Sequence, residues 1–268
     1  MKLAIQYFTI TLLVMHSVNA QEASVSFTGP RTLMMALLEI QKATGMPISY
    51  EEPPYESTGD LIRTTPASHP GLRPMLVART SPNAVIVALP GLGSASDPMT
   101  FVETVVNAYH NAGLPGRYKV VRRQGSIDVI PSEVAGVSGG TKAITPIMSR
   151  AVTFPYAERS VIETMRLIVG AMSRASGRDV RLLATPFNPE MPVRVAMSAD
   201  GSSVADELSL LATKLGIPAV SYQLAFDPND ASYYLTVTRR SSDHPAGRGT
   251  RAPNSASKDN PFFIRTKP

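Results

Sequence analysis

Four stretches of the chain place apolar or small residues at i, i+4, i+7 and i+11. They are Leu33, Leu37 and Ile40 with Thr44; Phe101, Val105 and Ala108 with Ala112; Val161, Met165 and Ile168 with Met172; and Val204, Leu208 and Leu211 with Leu215. That spacing lines one side of a helix, so it predicts four α-helices that each bury one stripe. Local signals bound them. Thr100-x-x-Glu103 and Ser160-x-x-Glu163 read as capping boxes, and Ser203-x-x-Asp206 as a weaker relative. Gly45, Gly113, Gly177 and Gly216 suit the left-handed position that closes a helix. Three of them open a Gly-apolar-Pro triplet: Gly45-Met46-Pro47, Gly113-Leu114-Pro115 and Gly216-Ile217-Pro218. Each of these glycines lies thirteen positions after an expected cap: Thr32, Thr100 and Ser203. The helix between Ser160 and Gly177 is one turn longer and lacks the proline.

Between the helices the pattern switches to period two. Ser24–Phe27 and Ala151–Phe154 alternate just ahead of a helix, and Ile48–Tyr50, Val180–Leu183 and Val193–Val195 follow as short strands. Two hairpins are predicted. Tyr118–Arg122 pairs with Ile127–Ile130 across Gln124-Gly125-Ser126, and Val220–Phe226 with Tyr233–Val237 across Pro228-Asn229-Asp230. From Ala151 to Thr238 the order is strand, helix, strand, strand, helix, strand, strand, and from Ser24 to Pro131 it is almost the same. The first half is longer between Glu51 and Asp97, a Pro-rich insert with one apolar strand at Ala84–Leu89. The expected fold is α+β: two tandem small βαββαβ-type modules, each with two helices packed on one face of a small mixed sheet. The modules span residues 21–131, with the insert 51–97, and 151–240. Residues 132–150, rich in Gly, Ser and Thr up to Pro146, are expected to be a linker, and 241–268 a disordered tail.

The two ends change the picture of charge and location. Met1-Lys2, the apolar run Leu3–Met15 and the small residues Val18-Asn19-Ala20 read as a secretory signal peptide over residues 1–20, cleaved near Ala20-Gln21. The expected location is therefore periplasmic or secreted, with no transmembrane span in the mature chain. There is no cysteine, which excludes disulfides, a thiol nucleophile and thiolate metal sites. The formal charge is +5, and without Lys2 it is +4. From Arg239 onward seven Lys or Arg face two Asp, a net of +5, so the body between is about −1. The basic balance belongs to the tail, and no nucleic-acid partner is expected.

The residues Ala43-Thr44-Gly45-Met46-Pro47-Ile48-Ser49-Tyr50, a helix end followed by a short strand carrying Ser-Tyr, resemble the short N-terminal domain of secretins and TonB-dependent receptors. The later helix Phe101–Ala112 with Tyr118–Arg122 and Ile127–Ile130 is similar to that family's closing part, and Ala151–Thr238 looks like a divergent copy. The resemblance implies a protein of an outer-membrane-bearing bacterium that makes protein–protein contacts in the periplasm. No barrel or secretin core follows Thr238, where that family normally carries one.

No catalytic, cofactor or metal site is expected. The histidines His16, His69, His110 and His244 fall at no metal-ligand spacing, and His110 reads as a surface or partly packed residue. Gly91-Leu92-Gly93-Ser94 lacks the Lys-Ser/Thr of a phosphate loop, no G-x-S-x-G elbow occurs, and a GXXG clamp of the RNA-binding KH type is absent. Glu51-Glu52, adjacent at a strand end, point to opposite faces and are expected to be solvated rather than an acid–base pair. Arg122-Arg123 and Arg239-Arg240 end closing strands, where charge protects an edge or meets an acidic partner or lipid headgroups. The expected function is a non-enzymatic envelope assembly module whose partner is an envelope or outer-membrane protein. The expected partner-binding residues are Phe262, Phe263 and Ile264 of the apolar tail end, with Arg239 and Arg240. The alternative is a small-ligand or peptidoglycan-binding protein with the insert as a lid; a hydrolase ranks third.

Overall fold

A computed structural model describes residues 23–27, 31–64, 75–80, 85–90, 92, 97–187 and 193–239. The first half runs β1 (Ala23–Phe27), α1 (Thr32–Thr44), β2 (Ile48–Glu51), β3 (Leu61–Thr64), β4 (Met75–Ala78), β5 (Val85–Leu89), α2 (Pro98–Asn111), β6 (Arg117–Arg123) and β7 (Ser126–Ala135). A short β8 (Thr141–Ala143) and a 3-10 turn (Ile147–Ser149) follow. The second half runs β9 (Ala151–Ser160), α3 (Val161–Ser176), β10 (Val180–Ala184), β11 (Arg194–Ser203), α4 (Val204–Lys214), β12 (Val220–Asp227) and β13 (Ser232–Arg239). The protein is α+β.

The two halves repeat one set of strand pairings. In the first, β1 pairs antiparallel with β5, β2 parallel with β7, and β6 antiparallel with β7. In the second, β9 pairs antiparallel with β11, β10 parallel with β13, and β12 antiparallel with β13. Each helix pair therefore touches two sheets, a two-stranded ribbon and a mixed three-stranded sheet, and not the single small sheet expected. The period-two signal marks a strand but not the sheet it joins.

One further pairing fuses the halves. β12 lies parallel to β2, with Gln223 opposite Tyr50 and Leu224 opposite Glu51. This makes the mixed sheet continuous in the order β10-β13-β12-β2-β7-β6. Its faces can be read from the register, because paired residues point the same way. Tyr50, Ile48, Ile127 and Val129 belong to the core around α1 and α2. Leu224, Phe226, Tyr233 and Leu235 belong to the core around α3 and α4. Tyr50 shares a face with Gln223, not with Leu224, so the two helix pairs cover opposite faces of one sheet.

The helix stripes pack as the spacing predicts: Leu33, Leu37, Ile40, Phe101, Val105, Met165, Ile168, Met172, Leu208 and Leu211 are all buried. All four terminal glycines adopt positive φ, between 64° and 68°. At Gly216 the Ile217 N–H returns to the Ala212 carbonyl at 2.9 Å, the Schellman closure. The starts differ in two of four cases. The Ser160–Glu163 capping box forms, and Ser203 accepts from the Asp206 N–H. But α1 begins at Thr32 after Arg31 in the left-handed region, and α2 begins at Pro98, two residues before Thr100, with its cap Asp97 accepting from the Met99 N–H. Asp97-Pro98 wins because the carboxylate satisfies an orphan N–H while proline presets the helical φ. Asp97→Ala is thus expected to lower the urea unfolding midpoint more than Thr100→Ala does; the reverse ranking would restore Thr100 as the cap.

The expected linker is built structure. Residues to Ala135 extend β7, β8 pairs back onto it, and Ile147 and Met148 are buried in the second core. The insert also carries more than one strand. β3 and β4 form an antiparallel ribbon, and β4 is latched to the β12–β13 turn, where the Leu76 N–H donates to Asn229 Oδ1 at 2.9 Å and Asn229 Nδ2 donates back to the Leu76 carbonyl at 3.1 Å.

Candidate functional site

Where the halves meet, the face of β12, β13 and β10 turned away from α3 and α4 forms the floor of a groove of about 380 Å³. Gln223, Ala225 and Asp227 of β12, Tyr234 and Thr236 of β13 and Leu183 of β10 make the floor. Arg31, Met34 and Met35 at the start of α1 form one wall, and Met75–Ala78 of β4 the other. The lining is mainly apolar, and three large hydrophobic side chains are left open to solvent there: Met35 at 48 %, Met75 at 42 % and Leu183 at 49 %. Such a cluster is costly on a soluble surface unless something covers it. Thioether side chains are also pliable and make good contacts with aromatic rings.

The groove is held open by a polar joint. Glu52, only 2 % exposed, accepts from the Phe226 N–H (2.9 Å), the Tyr55 hydroxyl (3.2 Å) and Arg31 Nε (3.2 Å). Arg31 also donates to the Phe226 carbonyl at 3.0 Å, and its left-handed backbone (φ 56°) is a conformation that a non-glycine residue keeps only where its surroundings enforce it. On the opposite face Glu51, also 2 % exposed, accepts from the N–H groups of Ile147 (2.6 Å) and Met148 (3.0 Å). The expectation of two solvated glutamates is therefore wrong. They do point to opposite faces, but each is buried as a clamp between halves, because parallel pairing of β2 with β12 removes water from both sides. Burial raises the carboxyl of Glu51 to about 7 against the pull of the two N–H groups. Burial also raises Glu52, opposed chiefly by Arg31. A third tie is Arg123, which pairs with buried Asp128 and, at 2.8 Å, with Asp206 of α4.

The other candidates fall as follows. Arg239 ends β13 and is exposed, opposite Val220 in the register. Arg240, Phe262, Phe263 and Ile264 lie outside the described residues, as does the expected signal peptide. Arg122 pairs with Asp97 on the outer strand β6. His110 is half-buried and structural in its contacts: its Nε2 accepts from the Tyr118 N–H at 3.0 Å, its ring stacks on Tyr118, and burial with Arg117 nearby lowers its basicity. Among the described residues no group of three or more His, Asp or Glu is placed to hold a metal, and no helix is long and apolar enough to cross a membrane. The groove residues escaped the sequence reading because Met35 lies off the α1 stripe, and because Leu183 reads as one more apolar strand residue. The doublet Met34-Met35 was the one visible signal, since a single stripe uses only one of the two.

No protein family, curated protein or solved structure matches the chain.

Proposed function

We propose that this chain is a non-enzymatic protein–protein interaction module of the bacterial cell envelope, working in the periplasm. The observation that carries the reading is the open apolar groove, with Met35, Met75 and Leu183 exposed beside the outer strand β10. Among the described residues β10 is paired on one side only, so an extended partner segment can add main-chain hydrogen bonds at that edge and place side chains in the groove. The export-type N-terminus and the resemblance to the secretin and TonB short N-terminal domain support the envelope location.

A groove of this size also falls within the range of small-molecule pockets, which favours the ligand-binding reading to that extent. Its polarity argues against cell-wall sugars. Of its charged lining residues, Arg31 and Glu52 are already paired with each other and Asp227 already accepts two hydrogen bonds from Asn229, which leaves little charge to bind a polyhydroxylated fragment.

The test is a benzophenone side chain at position 183, photolysed in solubilised envelope extract, with exposed position 137 as control. The expected result is a discrete protein adduct from 183 and none from 137. Equal labelling from both positions, or a thermal shift with peptidoglycan fragments in place of an adduct, would overturn the reading.

A further inference from the structure

The repeat of strand pairings shows what is missing over the groove. In the first half, Glu51 lies six residues after the helix-closing Gly45, on the sheet face turned away from α1 and α2. Leu183 holds the same place in the second half, six residues after Gly177 and on the face turned away from α3 and α4. Yet Glu51 is covered and Leu183 is not. The cover over Glu51 comes from the chain that leaves the closing strand β7: twelve residues after Ala135, Ile147 and Met148 lie against it. The strand equivalent to β7 in the second half is β13, and the chain that leaves β13 is the C-terminal segment.

We propose that this segment does for the second half what residues 136–148 do for the first: Pro261-Phe262-Phe263-Ile264 seats in the groove over Leu183. The proposal rests on reading the groove as a surface for an apolar peptide: the chain's own segment is its resident occupant, which a partner segment entering at the β10 edge displaces. Four arguments support it. Between Ser241 and Asn260 the sequence is polar or small, and 262–264 is the first run of large apolar residues after β13. In an extended segment alternate side chains point one way, so Phe262 and Ile264 enter together, with methionine walls suited to a phenyl ring. The reach suffices. Phe262 lies 23 residues after Arg239, an r.m.s. span of roughly 25 Å for a flexible chain. The groove begins close to that origin, since Thr236, three residues before Arg239, is part of its floor. Finally, a tethered segment faces its site at an effective concentration on the order of millimolar, so even a weak apolar contact is well occupied.

The chain has no cysteine, which makes the test clean. Leu183→Cys and Ile264→Cys are combined in the full chain, and Val137→Cys with Ile264→Cys serves as the control, Val137 being 81 % exposed and no part of the groove. Both sites tolerate substitution because both are exposed. Under mild oxidation at low protein concentration, the 183/264 pair is expected to close an intramolecular disulfide about tenfold faster than the 137/264 pair. It is expected to slow to the control rate when Phe262 and Phe263 are both changed to Ala. Equal rates in the two pairs, or disulfide-linked dimers in place of the intramolecular product, would overturn the proposal. A protein photoadduct from position 183 alongside equal rates would remove the segment as occupant and leave the interaction reading standing.

Discussion

Glu52→Ala is expected to destabilise the protein by about 1–3 kcal/mol, the range for leaving a buried donor unsatisfied. The carboxylate is 2 % exposed and accepts three hydrogen bonds. One of its donors, the Phe226 N–H inside the sheet, is left without a partner by the change, while the Tyr55 hydroxyl keeps its tyrosine neighbours Tyr118 and Tyr109. Arg31 suffers least. Its side chain is 32 % exposed and keeps its bond to the Phe226 carbonyl. Arg31→Ala removes the counter-ion of a buried carboxylate, so it should cost at least as much as Glu52→Ala, and the double variant should cost less than the sum of the two. Urea unfolding of the three variants measures this. Because Phe226 N–H and Glu52 join the two halves, its hydrogen-exchange protection should fall ahead of that of the helices. A loss below about 1 kcal/mol for Glu52→Ala would mean that the sheet joint does not need its glutamate.

Glu51→Gln should turn a pH-dependent cost into a constant one. Folding raises the Glu51 carboxyl from 4.5 to about 7, with desolvation the largest cause. The folded state thus binds this proton more readily than the unfolded chain. Its contribution is fully present below about pH 4.5 and is lost as pH rises through about 7. At 1.36 kcal/mol per pKa unit the difference amounts to roughly 3 kcal/mol. Gln carries no charge at any pH, but it offers one acceptor oxygen to the two N–H groups and sets its NH2 against the other. Compared with the parent chain it should be less stable at pH 5 by about 1–3 kcal/mol and should gain roughly 2–3 kcal/mol on it between pH 5 and pH 8. Denaturant titrations at the two pH values check this, and the difference between the two chains cancels the other buried carboxyls. A gap that is the same at both pH values would show that the ionised form is well solvated by the Ile147 and Met148 N–H groups.

The helices, their glycine closures and both hairpins were legible in the sequence because each rests on local chemistry. The stripe Val161, Met165, Ile168, Met172 has one period and one burial solution, and Gly177 has one cheap backbone conformation. Two helix starts were misread for an equally local reason. Thr100 and Asp97 both offer an acceptor at the right spacing, and Pro98 decides between them. The candidate site was mostly illegible. It depends on β2 meeting β12, a pairing across some 170 residues with no signature in either strand. Once it forms, charges that look solvated become clamps, and a connecting segment becomes a covering layer over Glu51. The apolar end Phe262-Phe263-Ile264 stood out in the sequence as misplaced, but nothing local pointed it toward Leu183.

The pairing of β12 with β2 has a directional consequence. β12 occupies in the second half the place that β6 holds in the first, and β2 the place of β10. The joint therefore unites unlike edges, head to tail, and leaves one edge of each kind at the ends of the sheet. A contact of that sort has polarity and no two-fold axis to close it, so copies adding by the same joint would grow without limit. Both ends lack what the joint uses. β10 offers Leu183 and Ala184 where β2 and the residue after it offer Glu51 and Glu52, and β6 offers Arg122 and Arg123, each already held by an aspartate of its own chain. The glutamates that fuse the halves thus also count to two, ending the array after a single repeat of the contact.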